Sequence, residues 1–133
     1  MKKPPRPARQ PRKRATSPRQ HPELTLGIAA ALDKKAADII VLDLRKASAF
    51  TDFFVICTGA NSRQVQAIAD AIQAALKQHG SRPALVEGES RAEWVLIDYF
   101  DVIFHVFTPA TREFYGLERL WADAERIEVT APL

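Results

Sequence analysis

At 133 residues, with 47% hydrophobic and 26% charged residues, the chain has room for one folded domain around a single core and not for two. Its one cysteine, Cys57, excludes an internal disulfide framework, and no apolar run approaches the roughly 20 residues needed to span a bilayer. The net charge of +3 is unevenly divided: residues 1–22 hold eight of the 19 Lys and Arg and no acid, which leaves residues 23–133 with 11 basic residues against 16 acids, a net charge of −5.

Residues 1–22 carry six of the nine prolines and almost nothing to bury, so they are expected to form a disordered, basic tail. Proline at this density argues against the amphipathic helix of a mitochondrial presequence, and no apolar signal-peptide stretch follows the charged start, so a cytoplasmic location is expected. The remainder, residues 23–133, is expected to be a single domain. Its acidic balance repels bare nucleic acid, whereas the tail is attracted to a phosphate backbone.

A helix is expected over residues 23–35, with Leu24, Ile28, Ala31 and Leu32 on one face. Residues 38–44 and 52–58 read as strands. Neither alternates cleanly between polar and apolar, the pattern of strands covered on both faces. The clearest helix follows, capped by Asn61 or Ser62, striped with Val65, Ile68, Ala69, Ile72 and Leu76, and stopped at Gly80. Strands recur at residues 82–86, 93–99 and 102–108. Pro109 suits a helix start, and residues 112–123 read as a helix whose stripe of Phe114, Leu117 and Trp121 points first to core packing and second to an interface. The sum is an α/β fold with a mixed five-stranded sheet flanked by helices.

Most chemistry is absent from the pattern. No glycine-rich segment precedes a Lys-Ser or Lys-Thr pair, as a P-loop requires. Gly59 lies before a helix start that could hold an anion, but a turn glycine and a capping Asn61 or Ser62 explain the same residues. Glu87 and Glu89 flank Gly88 as a solvated turn or, less readily, as two of the ligands of a hard cation. No Asp-x-Asp pair occurs, which removes the usual two-metal arrangement. One cysteine and three scattered histidines lack zinc spacing. Cys57 and His105 both sit inside strands, so a nucleophile–base pair is disfavoured against inert burial. No cofactor is expected. Asp98 is more informative: it follows Trp94 and Leu96 on one strand face, either as a strand-end carboxylate satisfied by turn amides or as a recognition point beside an exposed tryptophan.

An ordered set of segments carries a resemblance. Asp52-Phe53-Phe54-Val55-Ile56 leads to Thr58-Gly59, then to Asn61-Ser62-Arg63-Gln64-Val65 and Ala67-Ile68-Ala69-Asp70. Glu87-Gly88 precedes Trp94-Val95-Leu96-Ile97-Asp98-Tyr99, followed by Asp101-Val102, His105-Val106-Phe107, Arg112, Phe114-Tyr115 and Leu117-Glu118-Arg119-Leu120-Trp121. This order resembles the Iojap-related ribosome silencing factors across nearly the whole body. The resemblance implies a nucleotidyltransferase-like fold without catalytic acids, and a non-enzymatic protein. It implies binding to the large ribosomal subunit through ribosomal protein fourteen, a block on joining of the small subunit, repression of translation under nutrient limitation, and a possible homodimer. The densest family-like run nominates Trp94, Leu96, Asp98 and Tyr99 as the contact surface, with Asp101 and His105 as lesser candidates. The basic tail would add non-specific contact with ribosomal RNA, and no membrane is involved. One departure is Phe100, where many relatives have glycine: phenylalanine resists positive φ, so either a different turn or an added apolar contact is expected. Two rival readings are a nucleotide- or metal-dependent enzyme using Asp98, Asp101 or the Glu87–Glu89 pair, and a general RNA-binding module driven by the tail.

Overall fold

The computed structural model describes residues 18–47 and 50–133. Of the expected tail, residues 1–17 lie outside the described residues. Pro18–Gln20 form one turn of 3-10 helix and His21 is buried, so ordered packing begins ahead of residue 23. Helix α1 (Pro22–Asp33) starts where proline is best tolerated, in the first turn, and His21 caps it by accepting from the Leu24 N–H. Its buried face is Leu24, Gly27, Ile28 and Ala31; Leu32, expected on that face, is only partly covered.

The sheet has six strands: β1 (Ala37–Asp43), β2 (Phe53–Thr58), β3 (Leu85–Glu87), β4 (Trp94–Asp98), β5 (Val102–Phe107) and β6 (Glu125–Val129). Their order across the sheet is β3-β4-β5-β2-β1-β6, antiparallel throughout except for the parallel pair β2–β5. Two expectations need correction. The fivefold count missed β6, and the strand expected at residues 82–86 is the shorter and later β3. The mixed α/β architecture itself stands.

Every residue of β2 and β5 is buried, which accounts for the absence of alternation in their sequences. Helix α2 (Ser62–Gln78) and α1 lie on the first face. There Val65, Ile68, Ala69, Ile72 and Leu76 meet Val41, Phe53, Val55, Val95, Ile97 and Phe104. Each fully buried Val, Leu, Ile or Phe contributes about 1.5–3 kcal/mol. The second face carries a smaller cluster of Ile40, Leu42, Leu44, Phe54, Ile56, Ile103 and Phe107.

The helix expected at residues 112–123 is broken. Helix α3 (Pro109–Tyr115) ends at Gly116, whose left-handed φ of 56° turns the chain into the single turn α4 (Leu117–Leu120). The turn changes the phase of the stripe. Leu117 and Trp121 fold under and pack on the second face, while Phe114 is thrown outward and left 79% exposed.

Candidate functional site

The second face of the sheet ends in a row of rings. Trp121 meets Phe54 at 5.9 Å between centroids, Phe54 meets His105 at 4.5 Å, His105 meets Trp94 at 5.9 Å, Trp94 meets Tyr115 at 4.6 Å, and Tyr115 meets Phe114 at 5.0 Å. The row runs from the core to solvent: Phe54 and His105 are buried, Trp94 is half-buried, and Tyr115 and Phe114 are exposed. A hydrogen bond fixes its centre. The Trp94 indole N–H donates to His105 Nδ1 at 3.1 Å. An indole can only donate, so Nδ1 carries no proton and the neutral imidazole holds its hydrogen on Nε2. Beside the row, Arg91, Glu93, Trp94, Ala110, Phe114 and Tyr115 line an open cleft of about 650 Å³. Leu120, on α4, is a further large apolar side chain left 73% exposed. Contiguous large apolar side chains left in solvent are uncommon on a monomer and mark contact surfaces.

The six nominated residues divide. Trp94 and Leu96 lie together on the second face, half-exposed, and His105 stands behind them. Asp98 shares their face but is completely buried, which favours the first of its two readings, the strand-end carboxylate satisfied by turn amides. Its Oδ1 accepts the Phe100 N–H at 2.8 Å, which makes it the carboxylate that closes the β4–β5 turn. Phe100 adopts φ 70°, the conformation phenylalanine was expected to resist, so the glycine-like turn is retained and the bond from Asp98 helps hold it. Tyr99 points to the opposite face, buried edge-on against Phe104 at 5.9 Å, and cannot share a contact with Trp94. Burial, with the negative charge of Glu23 adding to it, pushes its phenol up to about 12. Asp101 lies near the start of α1, its Oδ2 4.0 Å from His21 Nε2. Sequence reasoning undervalued Phe114, Tyr115 and Leu120. The signal available was Gly116, a left-handed break that leaves the two sides of the segment out of phase.

Among the described residues, His21, Glu23 and Asp101 form the one group of three whose potential ligand atoms lie within 4.8 Å of one another. The geometry favours a polar latch over a cation site. His21 Nδ1 already accepts the Leu24 N–H, so the neutral ring presents an N–H, not a lone pair, to the carboxylates. Cys57 packs on the first face and His105 on the second, so they cannot act as nucleophile and base. Burial raises the thiol to about 12 against the opposing charge of Arg112. At α2, Asn61 accepts the Gln64 N–H at 2.9 Å and Gln64 accepts the Ala60 N–H at 2.7 Å, so side chains occupy the helix start. Glu87 and Glu89 belong to no cluster of three potential metal ligands among the described residues. Arg112 reaches across from α3: its Nη1 donates to the Asp38 carbonyl at 2.7 Å and to Thr58 Oγ1 at 2.8 Å, and its Nε lies 3.4 Å from Glu118 Oε2. That single guanidinium ties α3 and α4 to the sheet and so sets where Phe114, Tyr115 and Leu120 stand.

A mixed sheet with two helices on one face and an exposed aromatic row on the other defines a class of folded body whose most prominent surface feature is an apolar one suited to macromolecular contact. Comparison with known proteins gives the family. Residues 17–133 match the family model described as "Ribosomal silencing factor during starvation". The chain is 42% identical over 106 residues to a ribosomal silencing factor from Halalkalibacterium halodurans, covering 80% of this chain and 91% of that protein. It is 44% identical over 101 residues to the ribosomal silencing factor of Bacillus subtilis, covering 76% and 86%. A crystal structure of a protein from Chromobacterium violaceum superposes with a TM-score of 0.75 at 36% identity, covering 84% of this chain and 92% of that one. The chain belongs to the Iojap-related ribosome silencing factor family.

Proposed function

We propose that this protein binds the large ribosomal subunit on the face that meets the small subunit, through ribosomal protein fourteen, and represses translation under nutrient limitation by blocking subunit joining. The observation that carries this reading is the solvent-facing apolar surface of Trp94, Leu96, Phe114, Tyr115 and Leu120 on a chain of this family. Blocking needs no bond-making. A body seated there occupies volume that the small subunit requires, and a surface of about 800 Å² is enough for a specific protein contact. The aromatic residues suit the desolvated centre of such a contact. The negative charge of residues 23–133 suits a basic ribosomal protein over the surrounding RNA, while residues 1–22 hold nearby phosphates through their eight Lys and Arg. The activity follows the location of its target in the cytoplasm.

The test is co-sedimentation of purified large subunits with the wild-type chain and with Phe114→Asp and Leu120→Asp. Both side chains are exposed, so the variants fold. Loss of a central anchor, about 2 kcal/mol or more, weakens binding by about 30-fold. Binding by both variants at wild-type strength rules this surface out. Removal of residues 1–17, which carry seven of the basic residues, flattens the salt dependence of binding, and an unchanged slope excludes the tail from the contact.

A further inference from the structure

Strands β2 and β5 are parallel neighbours, and the chain leaves their carboxyl ends in opposite directions. After Thr58 it turns through Gly59 into α2 on the first face. After Phe107 it turns through Thr108 into α3, whose Tyr115 packs on Trp94 at the second face. Such a divergence opens a crevice beyond the strand ends, the place where open α/β sheets take their ligands. Here it is a cleft of about 600 Å³, within the range of small-molecule sites, and no ring of the aromatic row lines it.

Two residues on its rim hold backbone conformations for which glycine is the default. Lys35 ends α1 at φ 60°, and Asp38 lies at φ 49° in the bulge of β1 between Ala37 and Ile40. Glycine would serve both turns without strain, yet both positions carry side chains, of opposite charge. Left-handed residues other than glycine gather at ligand sites. Arg112 is the most deeply set charged residue of the lining, 11% exposed, with its Nε 3.4 Å from Glu118 Oε2. The other oxygen of that carboxylate, Oε1, is buried with no hydrogen-bond donor among the described residues. Glu113 and Arg119 complete the charged lining, and no ion pair among the described residues engages them or Lys35 or Asp38. Three cations and three anions thus line one cleft. A phosphate chain there meets three carboxylates, and a metal ion meets three bases. A molecule carrying both an ammonium and a carboxylate finds a partner for each, and its ammonium supplies the donor that Glu118 Oε1 lacks.

We propose that this crevice binds a small zwitterion of the amino-acid type, a free amino acid or a dipeptide. Lys35, Arg112 and Arg119 hold its carboxylate, and Asp38, Glu113 and Glu118 hold its ammonium. The proposal does not rest on the ribosome reading.

Amide chemical shifts of the isotope-labelled full chain test it, in titrations with alanine, dialanine, N-acetyl-alanine amide and inorganic phosphate carried to high millimolar concentration. Alanine or dialanine gives saturable shifts confined to residues 35–38, 58–64 and 109–119, and the capped compound, which lacks both charges, gives none. Lys35→Gly and Asp38→Gly each remove one charge and supply the residue the backbone favours, so both variants fold. Each weakens binding by about tenfold, the loss of one hydrogen bond to a charged group. No saturable shift with either zwitterion, shifts that fall elsewhere, equal binding of the capped compound, or unchanged binding by both glycine variants would each overturn the proposal. Phosphate binding more tightly than dialanine would also overturn it, by making the cleft an anion site.

Discussion

Replacing Trp94 by phenylalanine isolates the bond at the centre of the ring row. The phenyl ring retains contact with Phe107, 5.0 Å from the indole, and with Tyr115 at 4.6 Å. What disappears is the donor to His105 Nδ1, on a side chain that is 3% exposed. Removing one partner leaves a buried acceptor without its donor, which costs about 1–3 kcal/mol, so the variant loses that amount. With a urea dependence of about 1–3 kcal/mol per molar, the unfolding midpoint falls by about 1 M. Far-UV circular dichroism reads this without relying on tryptophan fluorescence. His105→Phe added to W94F costs much less than it does alone, a coupling of about 1 kcal/mol or more. A loss under about 0.5 kcal/mol, or strict additivity of the two changes, would refute the claim that this bond anchors the row.

Gly88→Ala is expected to destabilise by more than about 2 kcal/mol, read as a lowered melting temperature: φ is +88° and a Cβ there would overlap the Trp94 carbonyl oxygen. Cys57, its thiol raised to about 12 by burial, resists alkylation at pH 8 in the folded protein and labels fully in urea; rapid native labelling would contradict its placement. For Asp43, burial raises the carboxyl, but the hydrogen bonds and charge of Arg45, 2.7 Å away, outweigh it and hold the group below its ordinary range. A depressed carboxyl contributes stability that is present above its unfolded value near about 3.9 and lost as pH falls through the folded value. Asp43→Asn therefore lowers the urea midpoint at neutral pH, and the difference from wild type closes in acid; a gap independent of pH would remove the charge from the account.

The parts of this fold legible in the sequence are those where local pattern and tertiary burial coincide. The stripe of α2 places all five of its buried residues, and the unbroken apolar runs of β2 and β5 announce strands covered on both faces. Strand β6 escaped because three of its five residues are charged, and only Ile127 and Val129 carry the alternation. The final helix escaped because Gly116 was read through, although its left-handed turn decides which rings face solvent. At the site, strand alternation put Trp94, Leu96 and Asp98 on one face and Tyr99 on the other, as the structure has them. Alternation assigns a face, not an exposure. Asp98 accepts the Phe100 N–H two residues on, the turn-amide alternative that the local sequence had offered, while its complete burial was not legible there.

The central claim is that a folded body seated on one ribosomal subunit keeps the other away. The most direct measurement is subunit association followed by light scattering and gradient sedimentation, with the large subunit incubated first with increasing amounts of this protein. Coupled particles should fall with dose while the protein travels with the large subunit. Unchanged coupling at saturating protein, or protein found only with the small subunit, would contradict the account.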